Sequence, residues 1–147
     1  MQPEEVRAQI KRQLHDYRNI CREIAQIERM TEQLEAAMTA PKAQIMTGMP
    51  RSGGSGDPIA EQVARMIELQ EKYETKRVEL LAAQDAVETL IEGLDSLERR
   101  IFRLHYIDGL IWERVCVEIG YSWRRTHEYH SKALDKLVEM ELAKMVE

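Results

Sequence analysis

From Asp95 to Leu137 the chain reads DSLERRIFRLHYIDGLIWERVCVEIGYSWRRTHEYHSKALDKL, and this stretch decides the fold. Three short amphipathic helices can be drawn through it. Asp95 followed three positions later by Glu98 has the spacing of a capping box, in which each side chain satisfies a backbone N–H at the other residue. A helix is therefore expected from Ser96 to about Tyr106, with Leu97, Ile101, Leu104 and His105 inward. Trp112, Val115, Cys116 and Ile119 make one apolar face and predict a second helix over 112–119. Gly120 can turn left-handed at its end, Tyr121 packs, and Ser122 supplies a capping oxygen for a third helix running through Leu137. The inward stripe of that third helix is predicted to be Thr126, Tyr129, Ala133, Leu134 and Leu137. Helix, three-residue turn with glycine, arginine-bearing helix is the organisation of a helix-turn-helix.

Toward the N-terminus, Gly93 is a natural stop for a preceding helix, although the seven-residue spacing continues through Leu97 and Ile101 and leaves an unbroken helix as the other reading. That preceding helix should start at Asp57-Pro58, a cap and first-position pair. Ile59, Met66, Tyr73, Leu80, Val87 and Leu94 form one seam along it, and Leu69, Ala83, Leu90 and Leu97 the other. Pro3, with Glu4 and Glu5 where the helix dipole favours acids, opens a similar helix to about residue 39. Its seams are Ile10, Tyr17, Ile24, Thr31 and Met38, then Ile20, Ile27 and Leu34, with Leu14 and Cys21 widening the stripe. At 1.5 Å per residue it would be roughly 55 Å long. Equal lengths and a Gly/Pro-rich joint predict an antiparallel hairpin, since neither stripe is stable unpaired in water. The expected organisation is all-α: residues 1–93 as a long helical hairpin with loop 41–56, then 95–147 as a small three-helix domain.

Composition agrees. At 44% apolar and 32% charged, with 5% aromatic residues, the chain is rich in helix formers and holds little material for a sheet. Cys21 and Cys116 match neither a disulfide framework nor the close pairs of a zinc site. The opening MQPEEVRAQIKRQLHDYR has no apolar run of signal-peptide type, and no stretch approaches the roughly 20 apolar residues of a membrane span, so a cytoplasmic, non-membrane protein is expected. Net charge is −5, but its distribution is uneven: residues 57–97 carry 4 basic and 10 acidic groups, residues 98–137 carry 8 and 6. Among the segments expected to fold, with residues 1–44 balanced at 7 basic and 7 acidic groups, only the last is net positive.

The third helix then becomes the candidate reading surface. Trp123, Arg124, His127, Glu128 and Ser131 fall on its outward face near the N-terminal half, the part that enters deepest into a DNA major groove. Arginine can bind guanine bidentately and glutamate can accept from cytosine. Ser122, Arg125, His130, Lys132 and Arg114 flank that face and are expected to contact phosphates, with Arg99, Arg100 and Arg103 adding to the grip.

These residues carry a resemblance. YIDGLIWERVCVEIGYSWRRTHEYHSKALDKL resembles the region 4 helix-turn-helix of sigma factors, and more closely small phage-encoded transcriptional regulators that place such a domain after an N-terminal helical hairpin. The elements are His105-Tyr106 closing the first helix, Gly109 to Trp112, the Gly120-Tyr121-Ser122 turn, and His130, Ala133, Leu134 and Leu137 at the close. TGMP with the following Asp-Pro also looks like what such proteins carry between two helices. Two positions depart from the pattern. Ile111 stands where a capping residue is usual, at a cost of about 1 kcal/mol. Trp123 replaces a polar residue, and could meet a thymine methyl or sugar, the N-terminal hairpin, or a partner. The resemblance implies a sequence-specific DNA-binding transcription regulator with double-stranded DNA as partner, and RNA polymerase as a further one.

Alternatives stay open at this level. The chain could be a polymerase- or protein-interaction module without DNA specificity of its own, or a DNA-packaging adaptor. Leu14, Met66 and Leu69 could align two hairpins as a homodimer. The 41–56 loop reads as a flexible connection, a phosphate nest of glycines with Ser52, Ser55 and Arg51, or a partner-binding tip of Met46, Met49 and Arg51. No cofactor, metal site or catalytic residue is expected: the acidic groups of 57–97 converge with no nucleophile, and His127 with His130 lack carboxylate or thiol company.

Overall fold

The computed structural model describes residues 1–40 and 57–146. The three readings of the 41–56 loop fall outside the described residues. All regular structure among the described residues is helical: α1 (Pro3–Met38), α2 (Pro58–Ile91), α3 (Ser96–Phe102) continued by a π-helical turn (Arg103–Ile107), α4 (Trp112–Ile119) and α5 (Trp123–Val146). No described helix is long and apolar enough to cross a membrane.

The punctuation follows the side chains. Asp57 Oδ1 accepts from the Ile59 N–H at 3.0 Å, and Pro58 is the first residue of α2. The chain leaves α2 at Ile91 and re-enters helix at Ser96, so the break near Gly93 is real. There the capping box is complete: Asp95 Oδ1 accepts from Glu98 N at 2.8 Å, and Glu98 Oε1 accepts from Asp95 N at 3.1 Å. Glu98 is 2% exposed, and its carboxylate also accepts from Lys136 Nζ at 2.8 Å, so the buried charge is paired across to α5.

Two packing units divide the described chain. The first joins residues 1–21 to those from 79 onward. Its core combines Val6, Ile10, Leu14 and Tyr17 of α1 with Val87, Leu90 and Ile91 of α2, Leu94, Phe102, Tyr106, and Ala133, Leu134, Leu137 and Val138 of α5. The boundary expected between 93 and 95 is therefore not where packing divides. Helices of seven and eight residues, α3 and α4, are too short to enclose a core, and the adjoining parts of α1 and α2 supply the missing walls. For the same reason α5 does not stop at Leu137: Val138 is buried, Met140 and Leu142 pack on the same core, and the helix runs on to Val146.

The second unit comprises the described residues between 22 and 78. Ile24, Ile27 and Leu69 are its buried apolar residues, and Glu23 pairs with Lys76. The middle of α1 thus meets the middle of α2, and in the first unit Val6 to Tyr17 of α1 pack with Val87 to Ile91 of α2, so the two helices run antiparallel within one chain. The seam fades toward the 41–56 segment, where Met38 and Ile59 are exposed, because a two-helix layer covers each seam residue from one side only. Leu14 and Leu69, expected to help align a homodimer, are fully buried within the chain, and Met66 is half-buried.

Candidate nucleic-acid interface

The turn between α4 and α5 has the geometry its sequence implies. Gly120 ends α4 at φ 75°, in the left-handed region, with its N–H on Cys116 O at 2.9 Å. Ser122 Oγ accepts from Arg125 N at 3.2 Å, and Thr126 Oγ1 donates to Ser122 O at 2.8 Å, so α5 starts well capped. Ser122, expected among the phosphate contacts, thus serves as a cap. Ile111 makes no side-chain cap for α4, as its chemistry requires. Gly109, also at φ 75°, lies against the Arg18 guanidinium, which donates to Ile107 O at 3.2 Å and ties α1 to the loop before α4.

Helix α3 was expected to run regularly to Tyr106. Instead its last turn widens: Asp108 N–H reaches back five residues to Arg103 O at 2.8 Å. The extra residue lets Tyr106 reach the core while His105, held by its Nδ1–H on Leu110 O at 2.8 Å, stacks on Trp112 with ring centres 3.9 Å apart.

From there aromatic rings continue outward. Trp112 meets His127 at 4.8 Å, and His127 stacks on Trp123 at 4.1 Å and 29°. His127 Nδ1–H donates to Trp123 O at 2.9 Å, which leaves Nε2 as an acceptor in the neutral ring. A second branch runs inward: His130 stacks on Phe102 at 5.1 Å, meets Trp112 edge-on at 4.7 Å and shares a 2.7 Å hydrogen bond with Tyr106 Oη.

Trp123, Arg124, His127, Glu128 and Ser131, the proposed base-facing set, line one shallow depression of about 570 Å³ together with Lys132. Arg124 and Glu128 pair at 3.3 Å, one turn apart; the arginine side chain is 91% exposed, so the pair is weak and can open toward a ligand. Arg114 is exposed and pairs with Glu118 at 3.4 Å. Arg125 lies over Tyr121 and Tyr129, 5.5 and 5.9 Å from their ring centres, and hydrogen bonding to Tyr129 raises its pKa further.

Three expectations need correction. His130, expected among the phosphate contacts, does not lie on the open face; it is half-buried toward the inner stripe of Thr126, Ala133, Leu134 and Leu137, and burial pushes its pKa down to about 4, with His105, His127 and Lys11 adding repulsion. Tyr129, placed on that stripe from sequence, is half-exposed beside Arg125. Arg99 and Arg103 are occupied structurally, Arg99 on Leu94 O at 2.7 Å and Arg103 on both oxygens of Glu88 at 3.2 and 2.8 Å. Burial also lowers the pKa of His105 and raises that of Tyr106 to about 12, so both stay neutral near pH 7. The Tyr121-Arg125-Tyr129 stack escaped the sequence reading, although its regular four-residue spacing was visible.

Elsewhere, a groove of about 960 Å³ in the second unit is lined by Glu28, Glu32, Glu35, Glu71, Tyr73 and Glu74 among others. Its carboxylates have no histidine or thiol beside them, and no group of three or more potential metal ligands occurs among the described residues. Compared with family models, with curated proteins and with solved structures, the chain finds no match.

Proposed function

We propose that the chain is a sequence-specific DNA-binding transcription regulator, phage or prophage encoded, that sets the N-terminal half of α5 in the major groove. The observation that carries this reading is the single exposed face on which Trp123, Arg124, His127, Glu128, Ser131 and Lys132 surround one depression, directly after a glycine turn. Arg124 suits guanine, His127 Nε2 can accept from a base amino group, and Glu128 can accept from cytosine. Arg125, held between two tyrosines, with Lys132 and Arg114, suits phosphates. The sigma region 4 resemblance supports the same assignment and adds RNA polymerase as a partner.

Fluorescence anisotropy on duplexes recovered by in vitro selection tests it. Arg124→Ala and His127→Ala should each weaken specific binding by roughly 5- to 150-fold with folding intact. Selection that yields no motif, or variants that bind it as tightly as the native chain, would remove the proposed face.

A second reading, a polymerase- or protein-interaction module, is favoured by Ile59, Val63 and Ile67, exposed at four-residue spacing on α2. It predicts that polymerase is still retained in a pull-down after Arg124, Arg125 and Lys132 are neutralised.

A further inference from the structure

Trp123 is the first residue of α5, and its side chain is unusual for an exposed position. It is a large apolar ring, 51% exposed, in a face otherwise made of Arg124, His127, Glu128, Ser131 and Lys132. An exposed indole ordinarily samples several rotamers and loses that freedom on binding. Here the ring is held beforehand. His127 stacks beneath it, is fixed by its hydrogen bond to Trp123 O, and rests on Trp112, which in turn stacks on His105. The outer indole is thus the open end of a column of rings that reaches through α5 and α4 to the π-helical turn.

Packing on the chain's own core does not account for a ring half in solvent. The surrounding charge narrows the partner: Arg124 and Lys132 line the same depression against one carboxylate, Glu128, and Arg125 follows on the same exposed first turn, which favours a polyanion. On the floor of a major groove, base edges present hydrogen-bonding groups with one apolar exception, the C5 methyl of thymine.

We infer that Trp123 is a specificity-determining residue that selects thymine, packing its indole face on the C5 methyl at the base pair it reaches. The inference rests on the DNA-binding reading above. It adds to the polar contacts of Arg124, His127 and Glu128 an apolar one that discriminates thymine from cytosine and from uracil.

The test uses the full chain and the duplex it selects, with each thymine replaced singly by deoxyuridine, which removes one methyl and leaves pairing unchanged. The native chain should lose about fourfold in affinity at one thymine, the worth of one buried carbon. Trp123→Ala should bind the parent duplex more weakly and be indifferent to uracil there, and Trp123→Phe should keep a reduced penalty at the same position. Circular dichroism confirms that both variants are folded. Equal affinity for every deoxyuridine duplex, a selected site without thymine, or a Trp123→Ala chain that keeps the full penalty would overturn the inference and leave the DNA-binding reading standing. Failure to select any duplex would overturn both.

Discussion

In the first unit, Leu14, Phe102 and Leu137 are enclosed by side chains from α1, α2, α3 and α5 in one continuous core. In the second, Ile24, Ile27 and Leu69 are the buried apolar residues of a layer two helices thick, and Val63, Ile67 and Val78 stay exposed. The same two long helices contribute to both. What differs is whether short elements close over them, and this teaches where stability and chemistry reside. Two helices can pair along a stripe, but a third and fourth wall are needed to bury a ring or hold a neutral histidine. All four histidines lie in the first unit, as do both tryptophans.

The comparison breaks most visibly with a core truncation in each unit. Leu14→Ala should cost about 3–5 kcal/mol, because its surroundings are fixed on several sides, whereas Leu69→Ala should cost about 2–3 kcal/mol, because a two-helix layer can close over the gap. Urea denaturation with amide exchange resolved by segment checks this. Equal losses would show that the second unit is as tightly walled as the first.

Acid should separate the units next. Burial holds the folded pKa of His130 near 4, below the ordinary histidine value of 6.5. Between these pH values the unfolded chain binds a proton that the folded chain does not. The stabilisation is therefore complete above pH 6.5 and is lost as pH falls toward 4. With solvent screening of a ring that is not fully enclosed, the loss should be roughly 2 kcal/mol. Urea midpoints measured from pH 7 to 4 should show this slope in the native chain and a flatter one in His130→Phe. Exchange in residues 57–78, which contain no histidine, should follow carboxylate titration alone.

The smallest effect sharpens the contrast from the other side. Glu23→Gln removes the carboxylate paired with Lys76, an exposed ion pair that should be worth less than about 0.5 kcal/mol by thermal denaturation. A larger loss would mean that charge, and not the thin apolar seam, holds the second unit together.

Much of this was legible because local chemistry dictates it. Asp95 with Glu98, Asp57 with Pro58, and the Gly120-Tyr121-Ser122 turn each announce themselves through backbone groups that nearby side chains must satisfy. The outward placement of Trp123, Arg124, Glu128 and Ser131 followed from helical period. The rest depended on tertiary packing. His130 and Tyr129 are neighbours on a helix, and which one faces inward is decided by the Tyr106 hydroxyl and the Phe102 ring waiting on another element. Likewise nothing near Leu137 shows that α5 continues, since the surface receiving Met140 and Leu142 is supplied by residues far away in sequence. The walls contributed by α1 and α2 to the core around α3 and α5 were invisible for the same reason: a heptad stripe shows that a face is covered, not what covers it.

The widened turn at Arg103–Ile107 has a consequence for register. A helix advances about 100° with each residue, so one residue absorbed into a wider turn shifts the phase of everything that follows by roughly that angle. His105 can lie against Trp112 while Tyr106 sits in the core because of that phase shift. The inner end of the ring column, where His105 meets Trp112, is therefore seated by a turn two elements upstream of the indole, in which the Arg103 carbonyl bonds five residues ahead instead of four.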